Sequence, residues 1–224
     1  MKIVFLGDSL TWGGYGGDFV AEIQQRLPGH EIVNAGLAGS TVIYLLRAID
    51  DVLEEEPDGV FVMVGGNDAI SNLYPQTRSY YERAQGVPGG VVTPQQFAQH
   101  YRDLLTRLQV AQVLTWVGLP AVEYSPALVG MMQQYNALAR EAAESLNIPV
   151  TDVFADLRPD HIPDRPPLTL NDIHLIGQRT RTGWSDYESE RLRGGFTFTF
   201  DGLHPTPAAA RHLAGTIIDS LDVT

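Results

Sequence analysis

The chain has 224 residues, 44% of them hydrophobic and 19% charged, and its formal net charge is −12. That length is enough for a substantial core. The acidic balance argues against nucleic acid and anionic membranes as partners, because both are bound through basic surface. Cysteine is absent, which excludes disulfides, thiolate metal ligands and a cysteine nucleophile.

Strand-like and helix-like segments alternate from the first residues. Residues 2–6 (KIVFL) form an apolar run suited to a buried strand. Phe19, Val20, Ile23 and Leu27 then recur at helical spacing over 18–27, and Pro28-Gly29 stops that helix. A short strand is expected over Glu31–Asn34, a helix over 41–55 closed by Pro57, and a continuous apolar strand over 59–64 (GVFVMV). Thr93, Pro94 and Gln96 supply an N-cap, a first-turn proline and the far side of a capping box for the next helix. A strand over 112–118, a helix over about 128–146 and a strand over 149–154 follow. Thr206 and Pro207 open a last helix with Leu213, Ile217, Ile218 and Leu221 along one face.

This alternation predicts an α/β fold, a parallel sheet of roughly five strands with helices on both sides. In such sheets chemistry gathers at the carboxyl ends of the strands. One domain over 1–224 is expected, with insertions at about 69–92 and 155–200. The first carries Tyr74, Tyr80 and Tyr81. The second carries Arg158, Arg165, Arg179, Arg181, Arg191, Arg193 and Trp184, and ends in FTFTF (196–200), which alternates like a strand. Connections of that length serve as lids, binding loops or contact surfaces, and the second is a candidate surface for self-association. Lys2 precedes only a short apolar run, and no stretch reaches the length of a membrane-crossing helix, so a cytoplasmic chain is expected.

The chemistry-bearing residues fall where that fold exposes them. The first strand runs into Gly7, Asp8 and Ser9, which places a serine at a strand's carboxyl end with its hydroxyl and N–H open. A serine needs a base to act as a nucleophile. Of the six histidines, His30 follows a turn and reads as solvated, His100 and His212 lie within helices, and His161 and His174 lie in the second insertion. His204 differs, because Asp201 stands three residues before it in TFDGLHPTP. A carboxylate at that spacing can hold one imidazole nitrogen and leave the other to take a proton from Ser9. Gly39 in NAGLAGST can offer a backbone N–H to a developing oxyanion, and Asn67 in VGGND a side-chain amide. Each piece taken singly is also ordinary turn and cap chemistry.

Four short blocks, GDSL at 7–10, N-x-G-x-x-G at 34–39, GGND at 65–68 and DGLHP at 201–205, resemble in content and order those of the SGNH hydrolases, also called GDSL esterases and lipases. The resemblance covers about residues 1–68, 93–154 and 201–221. It implies a flavodoxin-like three-layer α/β/α sandwich. It also implies a serine hydrolase of small ester substrates, working without metal or organic cofactor. By this similarity Ser9 is the nucleophile, His204 the base and Asp201 its orienter, with Ser9, Gly39 and Asn67 forming the oxyanion hole. The two long insertions depart from the pattern.

Two other classes compete. An acyltransferase would use the same residues with an acceptor other than water. A non-catalytic flavodoxin-like binding domain is suggested by the glycines of WGGYGGD (12–18), but these do not have G-x-G-x-x-G spacing and no Walker lysine follows. Asp160, His161, Asp164, Asp172 and His174 fall within a short span without the spacing of a known metal motif, so no metal is expected.

Overall fold

The computed structural model describes residues 1–159 and 161–223. Five strands, β1 (Lys2–Gly7), β2 (Glu31–Gly36), β3 (Gly59–Met63), β4 (Leu114–Leu119) and β5 (Val150–Asp152), form one sheet in the order β2-β1-β3-β4-β5, with every pair parallel. The helices are α1 (Ser9–Trp12), α2 (Phe19–Arg26), α3 (Val42–Glu54), α4 (Gly66–Leu73), α5 (Arg78–Gln85), α6 (Pro94–Val110), α7 (Pro126–Ser145), α8 (Val153–Leu157), α9 (Leu170–Arg181), α10 (Tyr187–Gly194) and α11 (Pro207–Leu221).

Period-two alternation divides the strand side chains between two cores. Ile3, Phe5, Phe61, Met63 and Trp116 pack with Phe19 and Ile23 of α2 and Leu213 and Ile217 of α11. Val4, Leu6, Val60, Val62 and Val117 point the other way, into α3, α6 and α7, where Leu45, Ile49, Leu104, Leu105 and Tyr135 meet them. Burial on both faces is why these strands read as unbroken apolar runs. The chain leaves β1 toward β2 on one side and returns to β3 on the other. The carboxyl end of β1 is therefore the point where the winding reverses, with a crevice beside it.

Several elements differ from the sequence reading. The stretch 69–92 is no open insertion: α4 and α5 occupy most of it, and Tyr74, Tyr81, Val87 and Val92 are buried in the core. The fourth strand starts at Leu114, after Gln112 turns the chain at φ 61. The fifth ends at Asp152, whose side chain caps α8 through the Ala155 N–H at 2.9 Å. The seventh helix begins at Pro126, because Ser125 is its N-cap. FTFTF is not a strand, since its single ladder contact among the described residues is a Thr199–Pro205 bridge. Among the described residues no helix is long and apolar enough to cross a membrane.

Candidate active site

The crevice is built from the turn after β1. A side chain at Gly7 would collide with the Thr11 hydroxyl and the Met63 carbonyl, so only glycine lets the chain fold back this tightly onto β3. Asp8 is the N-cap of α1, its Oδ1 accepting the Leu10 N–H at 2.9 Å. Ser9 is the first residue of α1, where a backbone N–H has no intrahelical acceptor. Gly13, at φ 74, ends the helix after one turn.

Ser9 meets the segment before α11. Its Oγ lies 2.9 Å from His204 Nε2, and His204 Nδ1 lies 2.8 Å from Asp201 Oδ2. Asp201 Oδ1 also accepts the Leu203 and His204 N–H groups at 2.9 and 2.8 Å, locking the turn that presents both side chains. A carboxylate at Nδ1 requires the proton there, which leaves Nε2 as acceptor for the serine hydroxyl. Burial works against the Asp201 charge, but His204 and the two N–H donors outweigh it, holding the carboxyl below its usual range. His204 is only 4% exposed. Phe200 stacks against its ring at 6.0 Å and Tyr15 meets it edge-on at 5.0 Å.

The donor side lies opposite. Gly39 has φ 81, and a Cβ there would strike Tyr80 Oη and Gln85 Nε2, so conformation and space both demand glycine. Among the described residues the Gly39 N–H donates to no backbone carbonyl. Asn67 sits in the first turn of α4 rather than in a loop. Tyr81 donates its hydroxyl to Asn67 Oδ1 at 3.0 Å, which fixes which end of the amide is the donor. Asn67 Nδ2 then donates to Ser40 O at 3.0 Å and, more weakly, to Asp8 Oδ2 at 3.4 Å. The longer bond is the one an oxyanion would displace most readily.

Two buried carboxyls lie behind these donors. Burial pushes Asp8 up to about 6, against the pull of the Leu10 N–H, His204 and Asn67. Asp68, with both oxygens near the Val42 N–H at 3.1 and 3.3 Å, is pushed up to about 8 by burial, with the nearby Asp8 charge adding to the rise.

Ser9, Gly39, Asn67 and His204 share one cavity of about 310 Å³. Tyr15, Tyr80, Tyr81, Ile70 and Val122 line it, and α9 forms a wall through Ile173, His174, Gly177 and Arg181. The fold brings the five residues proposed from the sequence to one crevice, four of them lining the cavity and Asp201 standing behind His204. The sequence reading missed Tyr81 and Asp68. Asp68 was visible as the last letter of GGND, whereas nothing in the pattern singled out Tyr81 from the neighbouring tyrosines.

The remaining candidates have other roles. Arg179 pairs with Glu190 at 2.8 Å and lies 4.4 Å over the Trp184 ring. Arg193 and Arg191 pair with Glu190 and Glu188 at 2.6 and 2.5 Å. Arg181 faces the cavity and, among the described residues, has no ion-pair partner. His212 meets Asp156 at 2.9 Å on the surface. His30 is part-buried rather than solvated, with Nδ1 enclosed. Among the described residues no three His, Asp or Glu side chains converge as metal ligands, and Asp160 lies outside those residues.

Comparison with known proteins gives a family match and several similar folds. Residues 5–212 match the model of the GDSL-like Lipase/Acylhydrolase family. No curated protein matches the sequence. Among solved structures, the acetyl xylan esterase AlAXEase is similar at 20% identity with a TM-score of 0.66, the match covering 99% of this chain and 100% of the other. Axe2, an acetylxylan esterase from Geobacillus stearothermophilus, gives 18% and 0.67 with 100% and 94% covered. A lipase/acylhydrolase from Enterococcus faecalis gives 19% and 0.63 with 98% and 94% covered. At these identities the structural likeness speaks for the fold.

Proposed function

The chain belongs to the GDSL-like lipase/acylhydrolase family, whose members hydrolyse esters, and from that premise we propose that it cleaves small carboxylic esters through an acyl-enzyme on Ser9. The observation that carries this reading is the unbroken run Ser9 Oγ–His204 Nε2–His204 Nδ1–Asp201 Oδ2, at 2.9 and 2.8 Å, in a buried corner of the cavity.

His204 takes the Ser9 proton as Oγ attacks the ester carbonyl, and Asp201 stabilises the imidazolium that forms. The Ser9 and Gly39 N–H groups and the Asn67 amide supply donors for the oxyanion. His204 then gives its proton to the leaving alcohol, and water releases the acyl group by the reverse path. The chain's own residues supply nucleophile, base and donors, so no cofactor enters the scheme. A cavity of about 310 Å³, at the small end for ligand sites, favours short acyl groups such as acetyl. The acetyl xylan esterases among the similar structures are in keeping with that size.

The test is Ser9→Ala against a short p-nitrophenyl ester. Turnover is expected to vanish while the thermal midpoint holds, and covalent labelling by a fluorophosphonate is expected to be lost with it. Undiminished turnover would overturn the assignment. Product analysis with and without an added alcohol separates hydrolysis from acyl transfer, which would use the same residues.

A further inference from the structure

Three groups at the cavity hang from strand ends: Ser9 after β1, Gly39 after β2 and Asn67 after β3. His204 does not. It follows the irregular segment 196–203, whose one bridge among the described residues, Thr199–Pro205, is local and joins no strand of the sheet. A base must stay within hydrogen-bond reach of its nucleophile, so that segment needs an anchor.

The anchor is a side chain that the acyl chemistry leaves unused. Glu123 follows β4 and is 0% exposed. Its Oε1 accepts the Phe198 N–H at 2.8 Å, the Thr199 N–H at 2.6 Å and the Thr199 hydroxyl at 2.7 Å, and its Oε2 accepts the Thr197 N–H at 2.8 Å. The Glu123 backbone N–H donates to Gly202 O at 2.9 Å. Thr199 Oγ1 in turn accepts the Gly202 N–H at 3.0 Å, the residue next to Asp201. From α10, Arg191 Nη1 donates to Phe196 O at 2.8 Å and Thr197 O at 3.3 Å. The carboxylate thus collects the N–H groups of 197–199, while the guanidinium takes the carbonyls of Phe196 and Thr197 beside them. Bonds to a charged partner are the stronger kind, and a buried carboxylate is tolerated only where its acceptor capacity is filled.

We propose that Glu123 is a positioning residue for the base: by gathering the backbone of 197–199 it fixes the turn that carries Asp201 and His204 against Ser9. The proposal rests on the reading of Ser9 and His204 given above.

Glu123→Gln turns one acceptor into a donor facing an N–H. Thr199→Val removes the hydroxyl that relays the Glu123 carboxylate to the Gly202 N–H, leaving the direct bond from the Glu123 N–H to Gly202 O in place, and Thr199→Ser restores the relay. Each variant is assayed for kcat and KM on a short p-nitrophenyl ester, normalised to folded protein by circular dichroism. The downfield Nδ1 proton of His204 is followed by one-dimensional proton NMR. In Glu123→Gln and Thr199→Val, kcat is expected to fall by about tenfold to a hundredfold, with KM little changed and the His204 resonance weakened or moved. Thr199→Ser should match the parent. A purely structural role would lower the thermal midpoint and leave both kcat per folded molecule and the resonance as they were, and that result would overturn the proposal. If Glu123→Gln does not fold, the Thr199 pair decides alone. Full activity in Ser9→Ala would instead sink the underlying reading, so the two failures are distinguishable.

Discussion

Replacing Asp68 by asparagine should change how stability depends on pH more than it changes the structure. Asp68 is fully buried and its oxygens face the Val42 N–H at 3.1 and 3.3 Å. Burial, reinforced by Asp8, raises its pKa from 3.8 to about 8. A carboxyl whose folded pKa is raised binds its proton more tightly in the native state. The stability it contributes is complete below pH about 4 and is lost as pH climbs through about 8. At about 1.4 kcal/mol per pH unit, the gap is worth roughly 6 kcal/mol for a single site, an upper figure because relaxation and water entry reduce it. Asparagine keeps the acceptor for Val42 and carries no charge at any pH. Urea unfolding of parent and Asp68→Asn from pH 5 to pH 9 measures the difference directly. The variant's advantage should grow by about 1.4 kcal/mol per pH unit up to pH about 8 and then level off. A stability difference that stays constant from pH 5 to pH 8 would refute the reasoning.

Gly39→Ala places a methyl group against Tyr80 Oη and Gln85 Nε2 at a φ that alanine resists, so its N–H should move off the oxyanion position and kcat should drop about a hundredfold or more; a kcat near that of the parent would remove Gly39 from the oxyanion hole. Arg181→Ala should weaken turnover of esters bearing a carboxylate while sparing neutral ones, because Arg181 lines the cavity without an ion-pair partner among the described residues. Arg179→Ala, whose partner is Glu190, should show no such preference. Equal losses on both ester types in Arg181→Ala would argue against an anion contact.

The parts of the site legible in the sequence were those where short-range chemistry and fold position coincide. The run 2–6 predicts a strand because both faces are apolar, and Gly7-Asp8-Ser9 names its end. Asp201 and His204 stand three apart, close enough to share one turn. FTFTF misled because a period of two reports which side chains are buried, and Phe196, Phe198 and Phe200 are indeed buried. It does not report what satisfies the N–H groups, which here is a carboxylate over seventy positions away in the chain. The stretch 69–92 looked open because Gly65-Gly66 hides a helix start behind poor helix formers. The short turns at Pro75–Thr77 and Pro88–Gly90 break the periodicity further. Tyr81 could not be told from Tyr80 because only the fold turns one toward Asn67 and the other toward Gly39.

The wall formed by α9 has no buried residue anywhere along its length, yet it borders the chamber that holds Ser9. Its sequence can therefore drift widely without unsettling the sheet beneath. Ile70, Tyr81 and Val122 serve chamber and core alike, so α9 is the part of the wall that can change freely, and a graft of this one helix from a relative is a direct way to hand the scaffold a new diet of esters.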